Sequence, residues 1–206
     1  MKLTTVLIGL AAMAVSLPAG TINFAGGGSL GSSNTYGPVT ATGYLSNSTT
    51  GTLFGKGTAG GTGSEDGLGL TADPTGDNEI FAKLATGAAA SDFIQLDISA
   101  LSGTIKVSMG STGGDTWAVF GSNSAGILGG TMLASGGGDD GAEVTVTSAT
   151  SYKYLDVRAA TNNVLLQDLV YTGSESSVPE PGTLGIVGLG GVLIGLLRRK
   201  VNQKQA

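Results

Sequence analysis

The 206 residues include no histidine and no cysteine. Together these absences exclude Ser-His-Asp and Cys-His nucleophilic sites and leave neither imidazole nor thiolate to hold zinc. Without cysteine there is no disulfide framework either, although a secretory route would permit one, so stability must come from a packed core. Charged residues make up 12% of the chain and aromatics 5%, with a single tryptophan. Positive charge is scarcest in the body, where residues 20–177 carry five basic side chains against fourteen acidic ones, a net charge of −9. Such a surface is not a partner for nucleic acid, whose backbone is bound through Lys and Arg that displace counterions from phosphate. No segment of the body holds a helical period for three turns.

The pattern that is present has period two. Thr104, Lys106 and Ser108 alternate with Ile105, Val107 and Met109, and Ile94, Leu96 and Ile98 alternate with Gln95 and Asp97, the signature of half-buried strands. Comparable runs occur at 39–45, 49–54, 78–84, 116–121, 143–147, 152–158 and 163–171, separated by clusters of Gly, Ser, Asn and Asp. About ten short strands of this kind predict an all-β fold, an antiparallel sandwich of jelly-roll rather than immunoglobulin type. The glycine-rich stretches 26–33 and 55–69 do not open a helix after a strand, so a phosphate-cradling loop is not supported and both are predicted to be long surface loops.

The two ends differ from the body. Met1-Lys2 followed by an apolar run at 3–15, with Ala14-x-Ser16 and Leu17-x-Ala19 offering small residues for cleavage, predicts a secretory signal peptide over 1–19, since the run is too short to span a bilayer. The sandwich is assigned to 20–172, and 173–177 reads as a flexible linker. Beyond it come Val178-Pro179-Glu180-Pro181, an uncharged run at 183–197, and Arg198-Arg199-Lys200. The uncharged run covers roughly 22 Å as a helix, and snorkelling of the arginines lets it cross the ~30 Å hydrocarbon core with the basic end retained in the cytoplasm. The two prolines withhold backbone donors and push Val178 and Glu180 toward extended conformations, the form that peptidases grip. Pro before a membrane helix is also an ordinary helix-start signal, so a permanent anchor is the alternative.

Val178-Pro179-Glu180-Pro181, Thr183-Leu184, the Gly-rich apolar helix and the basic end together resemble a PEP-CTERM sorting signal, covering 178 to about 200 and occupying the last section, 178–206. The resemblance implies export across the inner membrane of a Gram-negative bacterium and processing by an exosortase-type membrane peptidase. Passage through the inner membrane would be transient and the destination the cell surface or matrix, often in association with exopolysaccharide and biofilm. The extension 201–206 departs mildly from the pattern. More loosely, Asp92-Phe93-Ile94-Gln95-Leu96-Asp97 and 117–123 resemble the all-β ectodomains that often precede such tails.

Three kinds of site remain open on composition. A carboxylate pair could come from Asp92, Asp97, Asp156 and Asp168, but such residues commonly just solvate a sheet face, and the chain is expected not to be an enzyme. Calcium is the better ligand expectation. Asp73, Asp77 and Glu79 place hard oxygen donors around a Pro-Gly turn, and 138–141 does so in miniature, although neither has the spacing of a known calcium loop and turns use Asp and Asn anyway. Carbohydrate is the third. Trp117, Tyr152 and Tyr154 are the candidate stacking rings, with the two tyrosines expected on one strand face, and a carbohydrate-binding module is the rival to a plain surface protein.

Overall fold

The computed structural model describes residues 19–71, 75–82 and 92–173. The chain divides after Ser174, and every described residue belongs to the first unit. The predicted signal peptide up to residue 18, Asp73, and the tail with its predicted membrane helix lie outside the described residues. Among the described residues no helix is long and apolar enough to cross a membrane.

Among the described residues, fifteen strands form two antiparallel sheets. The first sheet holds β1 (Gly20–Asn23), β2 (Gly28–Gly31), β6 (Leu53–Lys56), β7 (Gly67–Leu70), β8 (Ile80–Phe81), β10 (Ile105–Gly110), β13 (Val144–Val146) and β15 (Asn163–Tyr171). The second holds β3 (Ser33–Tyr36), β4 (Val39–Ser46), β5 (Thr49–Thr50), β9 (Phe93–Asp97), β11 (Thr116–Ser122), β12 (Thr131–Gly137) and β14 (Tyr154–Ala159). From β7 onward the pairing is nested: β7 with β15, β9 with β14, β10 with β13, and β11 with β12, like the arms of one long hairpin. Rolling that hairpin sets β15 beside β10 and β14 beside β11, which is jelly-roll order. Strands β6 and β2 extend the first sheet, and β4 and β3 the second.

Alternation explains which residues face inward. Ile105, Val107 and Met109 of β10 meet Ile94 and Leu96 of β9, Trp117 and Val119 of β11, and Leu155 and Val157 of β14 in one buried core. Each such aliphatic side chain removed from water contributes about 1.5–3 kcal/mol. Strand β15 breaks strict alternation, and the break is absorbed by a bulge: Ser108 lies opposite Asp168 while Met109 lies opposite Leu166, so Gln167 is the extra residue. Leu166 and Val164 thereby join Leu169 in the core, and the Gln167 amide donates to the Gly63 carbonyl at 2.8 Å.

The glycine-rich stretches are not simply surface loops, contrary to their composition. Strand β2 forms within 26–33, and β7, which begins within 55–69 and runs to Leu70, is buried along its whole length. Tight approach of other backbone is the reason glycine is used there. A Cβ on Gly69 would stand 2.0 Å from the Asn78 carbonyl oxygen, and one on Gly55 would stand 1.6 Å from that of Gly26.

Candidate functional site

The face of the second sheet that points away from the core is built from β4, β9 and β14, which lie side by side. Register places Thr40, Asp97 and Tyr154 in one row and Thr42, Gln95 and Asp156 in the next, all pointing the same way because paired residues share a face. Tyr44 and Phe93 make the following row, with rings stacked at a centroid distance of 4.9 Å.

A loop between β11 and β12 covers part of this face. Gln95 fastens it twice, donating from Nε2 to the Ser124 carbonyl at 3.2 Å and accepting at Oε1 from the Gly126 N–H at 2.9 Å. Asp156 accepts from Gln95 Nε2 at 2.8 Å and from the Gly129 N–H at 2.7 Å. Asn47 receives the Leu128 N–H at 2.9 Å, and Leu128 itself packs with Tyr44, Phe93 and Phe120. The result is a carboxylate with no exposure on what would otherwise be a wet face. Burial pushes the Asp156 carboxyl up to about 6, against the opposing hydrogen bonds from Gln95 and Gly129.

Beside the loop a depression of about 240 Å³ remains, lined by Thr40, Thr42, Tyr44, Gln95, Asp97 and Tyr154, with Ala125 from the loop. Its polar groups are held in place by their neighbours. Thr40 Oγ1 lies 3.1 Å from Thr35 Oγ1, and Thr42 Oγ1 lies 3.2 Å from Ser33 Oγ. Asp97 accepts from the Ser99 N–H and hydroxyl at 3.0 and 2.6 Å, both at Oδ1. Desolvation, and then the proximity of Tyr154 and Asp156, raise the Tyr44 hydroxyl above its ordinary value. Lys153 Nζ stands 4.9 Å from the centre of the Tyr154 ring.

The sequence-predicted sugar contacts separate on this frame. Trp117 is only 3% exposed and belongs to the core, so it offers no stacking platform. Tyr152 precedes β14, in the bend after the 3-10 turn Ala149–Ser151, and its ring lies against Gly121, where a Cβ would stand 2.5 Å away. The two tyrosines therefore do not form one platform, because the chain turns between them before the strand begins. Tyr154 alone of the three lines the depression. Tyr44, Gln95 and Asp97 were missed as its neighbours. Their outward parity was legible, but the order β4-β9-β14 was not.

The acidic turn is also divided. Asp77 is exposed, whereas Glu79 is 2% exposed and points inward. Lys56 Nζ reaches Glu79 at 2.6 Å and Glu65 at 2.5 Å, and the Ser111 hydroxyl lies 3.1 and 3.0 Å from the two Glu79 oxygens. Burial raises Glu79 despite these partners, while in Lys56 the hydrogen bonds and charges of Glu65 and Glu79 outweigh a desolvation that alone would lower it. Asp140 of the second turn is engaged by the Thr112 N–H and hydroxyl at 2.6 and 2.7 Å. Among the described residues no group of three or more potential acidic ligands converges.

The sorting residues Val178, Pro179, Glu180, Pro181, Arg198, Arg199 and Lys200 lie outside the described residues. A family model for the PEP-CTERM protein-sorting motif matches residues 177–200. No curated protein and no solved structure matches the chain.

Proposed function

We propose that this chain, carrying a PEP-CTERM protein-sorting motif at residues 177–200, is a non-enzymatic protein of the cell surface or extracellular matrix, released there from a membrane-held precursor and associated with exopolysaccharide. The motif itself marks an exported protein sorted through an exosortase, a membrane protein. It carries the reading, since a processing segment, an apolar stop and a basic end make one device for pausing a chain in the inner membrane and cutting it. The non-enzymatic part is supported by how the strand carboxylates are spent. Asp156 serves Gln95 and Gly129, and Asp168 accepts from Asn23 and Ser108.

Mass spectrometry of the mature protein from cells tests the sorting reading. A C-terminus near residues 178–183 supports processing. One at Ala206 in the surface-exposed form refutes it and leaves the tail as a permanent anchor.

The carbohydrate-binding reading keeps one favourable observation after the loss of Trp117: Tyr154 opens onto a polar depression on the sheet face.

A further inference from the structure

The depression on the second sheet combines properties that together select a ligand chemistry. It is small, about 240 Å³ against the roughly 300–1,000 Å³ of sites for drug-sized molecules, which suits one or two sugar rings. Its lining offers the hydroxyls of Thr40, Thr42, Tyr44 and Tyr154, each able both to donate and to accept, with the Asp97 carboxylate as a pure acceptor. Sugar hydroxyls need that mixture. The exposed large apolar side chains among the described residues, Ile127 and Met132, do not line it, which disfavours a lipid or an apolar peptide.

These groups are fixed before any ligand arrives. Thr40 and Thr42 are tied to Thr35 and Ser33 on the neighbouring strand, Asp97 to Ser99, and Tyr44 is stacked on Phe93. Side chains ordered in advance lose little entropy on binding. Charge then decides between sugars. Asp97 in the lining, Asp156 in the row beside it and a body of net charge −9 repel uronates and sulfated sugars, and Lys153 is a single cation next to Tyr154.

We propose that the depression formed by Thr40, Thr42, Tyr44, Asp97 and Tyr154 is a binding site for residues of a neutral polysaccharide, with Tyr154 as the contact ring and Asp97 as hydroxyl acceptor. This deepens the exopolysaccharide reading above, and it does not depend on whether the tail is cut.

Native affinity electrophoresis of the purified full chain in detergent tests it, with gels containing a neutral glucan, mannan or galactan, or the acidic polymer alginate. The expected result is retardation by at least one neutral polymer and none by alginate. Tyr154→Ala and Asp97→Asn should each weaken the retardation at least tenfold. Thr42→Val, a change at a half-exposed position, should weaken it with the melting temperature kept. Absence of retardation by all three neutral polymers, retardation by alginate as strong as by any of them, or unchanged binding by Tyr154→Ala and Thr42→Val would overturn the proposal. A cleaved or uncleaved tail in cells leaves each of these outcomes readable.

Discussion

Gln95 Nε2 donates to Asp156 Oδ1 at 2.8 Å, and both residues are buried although their strands turn them away from the core. The loop over them is the cause, and the consequence is a carboxyl that holds its proton to a higher pH than an ordinary aspartate. Asp156 titrates at about 6 in the folded chain against an ordinary 3.8, a difference worth about 3 kcal/mol. Because the folded value is the higher one, this stabilisation is fully present below about pH 4. It declines as pH rises, and is gone above about pH 6. The melting temperature should therefore gain from this group as pH is lowered from 7 to 4.5, and Asp156→Asn should remove that part of the pH profile. A profile identical in the variant would show that Asp156 is not the titrating group.

The ion pair between Lys56, at the end of β6, and Glu79, just before β8, should be sensitive to the loss of one partner only. Lys56→Met takes the ammonium group away from the buried Glu79 carboxylate and is expected to cost about 2–4 kcal/mol in urea denaturation, tempered by the 24% exposure of the lysine. The double variant Lys56→Met with Glu79→Leu should recover most of that loss, since it removes the stranded charge. Equal loss in both variants would mean that packing, not charge, governs the site.

Space around a glycine should decide between Gly55, on which backbone presses, and Gly130, in the loop before β12, which has no neighbour. Gly55→Ala sets a methyl 1.6 Å from the Gly26 oxygen and should cost more than about 3 kcal/mol or prevent folding. Gly130→Ala, with nothing within 4 Å, should lie within about 0.5 kcal/mol of the parent chain. Thermal melts of the two variants compare them directly.

Calcium at millimolar concentration is expected to leave the melting temperature of the chain unchanged, because Glu79 is buried and committed to Lys56 and Ser111 whereas Asp77 is exposed. A ligand that binds the folded state must raise its stability by mass action. An upward shift of several degrees that Asp77→Asn abolishes would restore the acidic turn as a site.

In the tail, Pro179→Ala with Glu180→Ala should leave a full-length protein in the inner membrane. Neutral replacements of Arg198, Arg199 and Lys200 should instead weaken retention there. Fractionation followed by intact-mass measurement separates the two; a processed product from the first variant would show that the Pro-Glu-Pro element is dispensable.

What the sequence determined by itself was whatever depends on neighbours along the chain. The alternation of Ile105, Val107 and Met109 sets which face of β10 is buried, and the order of a proline pair, an apolar run and three basic residues makes a sorting tail regardless of the body's fold. The lack of histidine and cysteine removes whole classes of chemistry whatever the fold. Tertiary structure decided what depends on residues far apart. Trp117 became a core anchor because its face of β11 packs in one core with Ile105, Val107 and Met109 of the other sheet, and Glu79 left the acidic turn because Lys56, on β6, draws it inward. Gly55 and Gly69 read as loop residues because their only requirement is that nothing protrude, and that requirement is imposed by the distant carbonyls of Gly26 and Asn78. The depression at Tyr154 was invisible for the same reason. Its walls come from β4, β9 and β14, which rolling of the hairpin makes adjacent, and from a loop whose course over the sheet is set by the buried amide of Gln95 and carboxylate of Asp156.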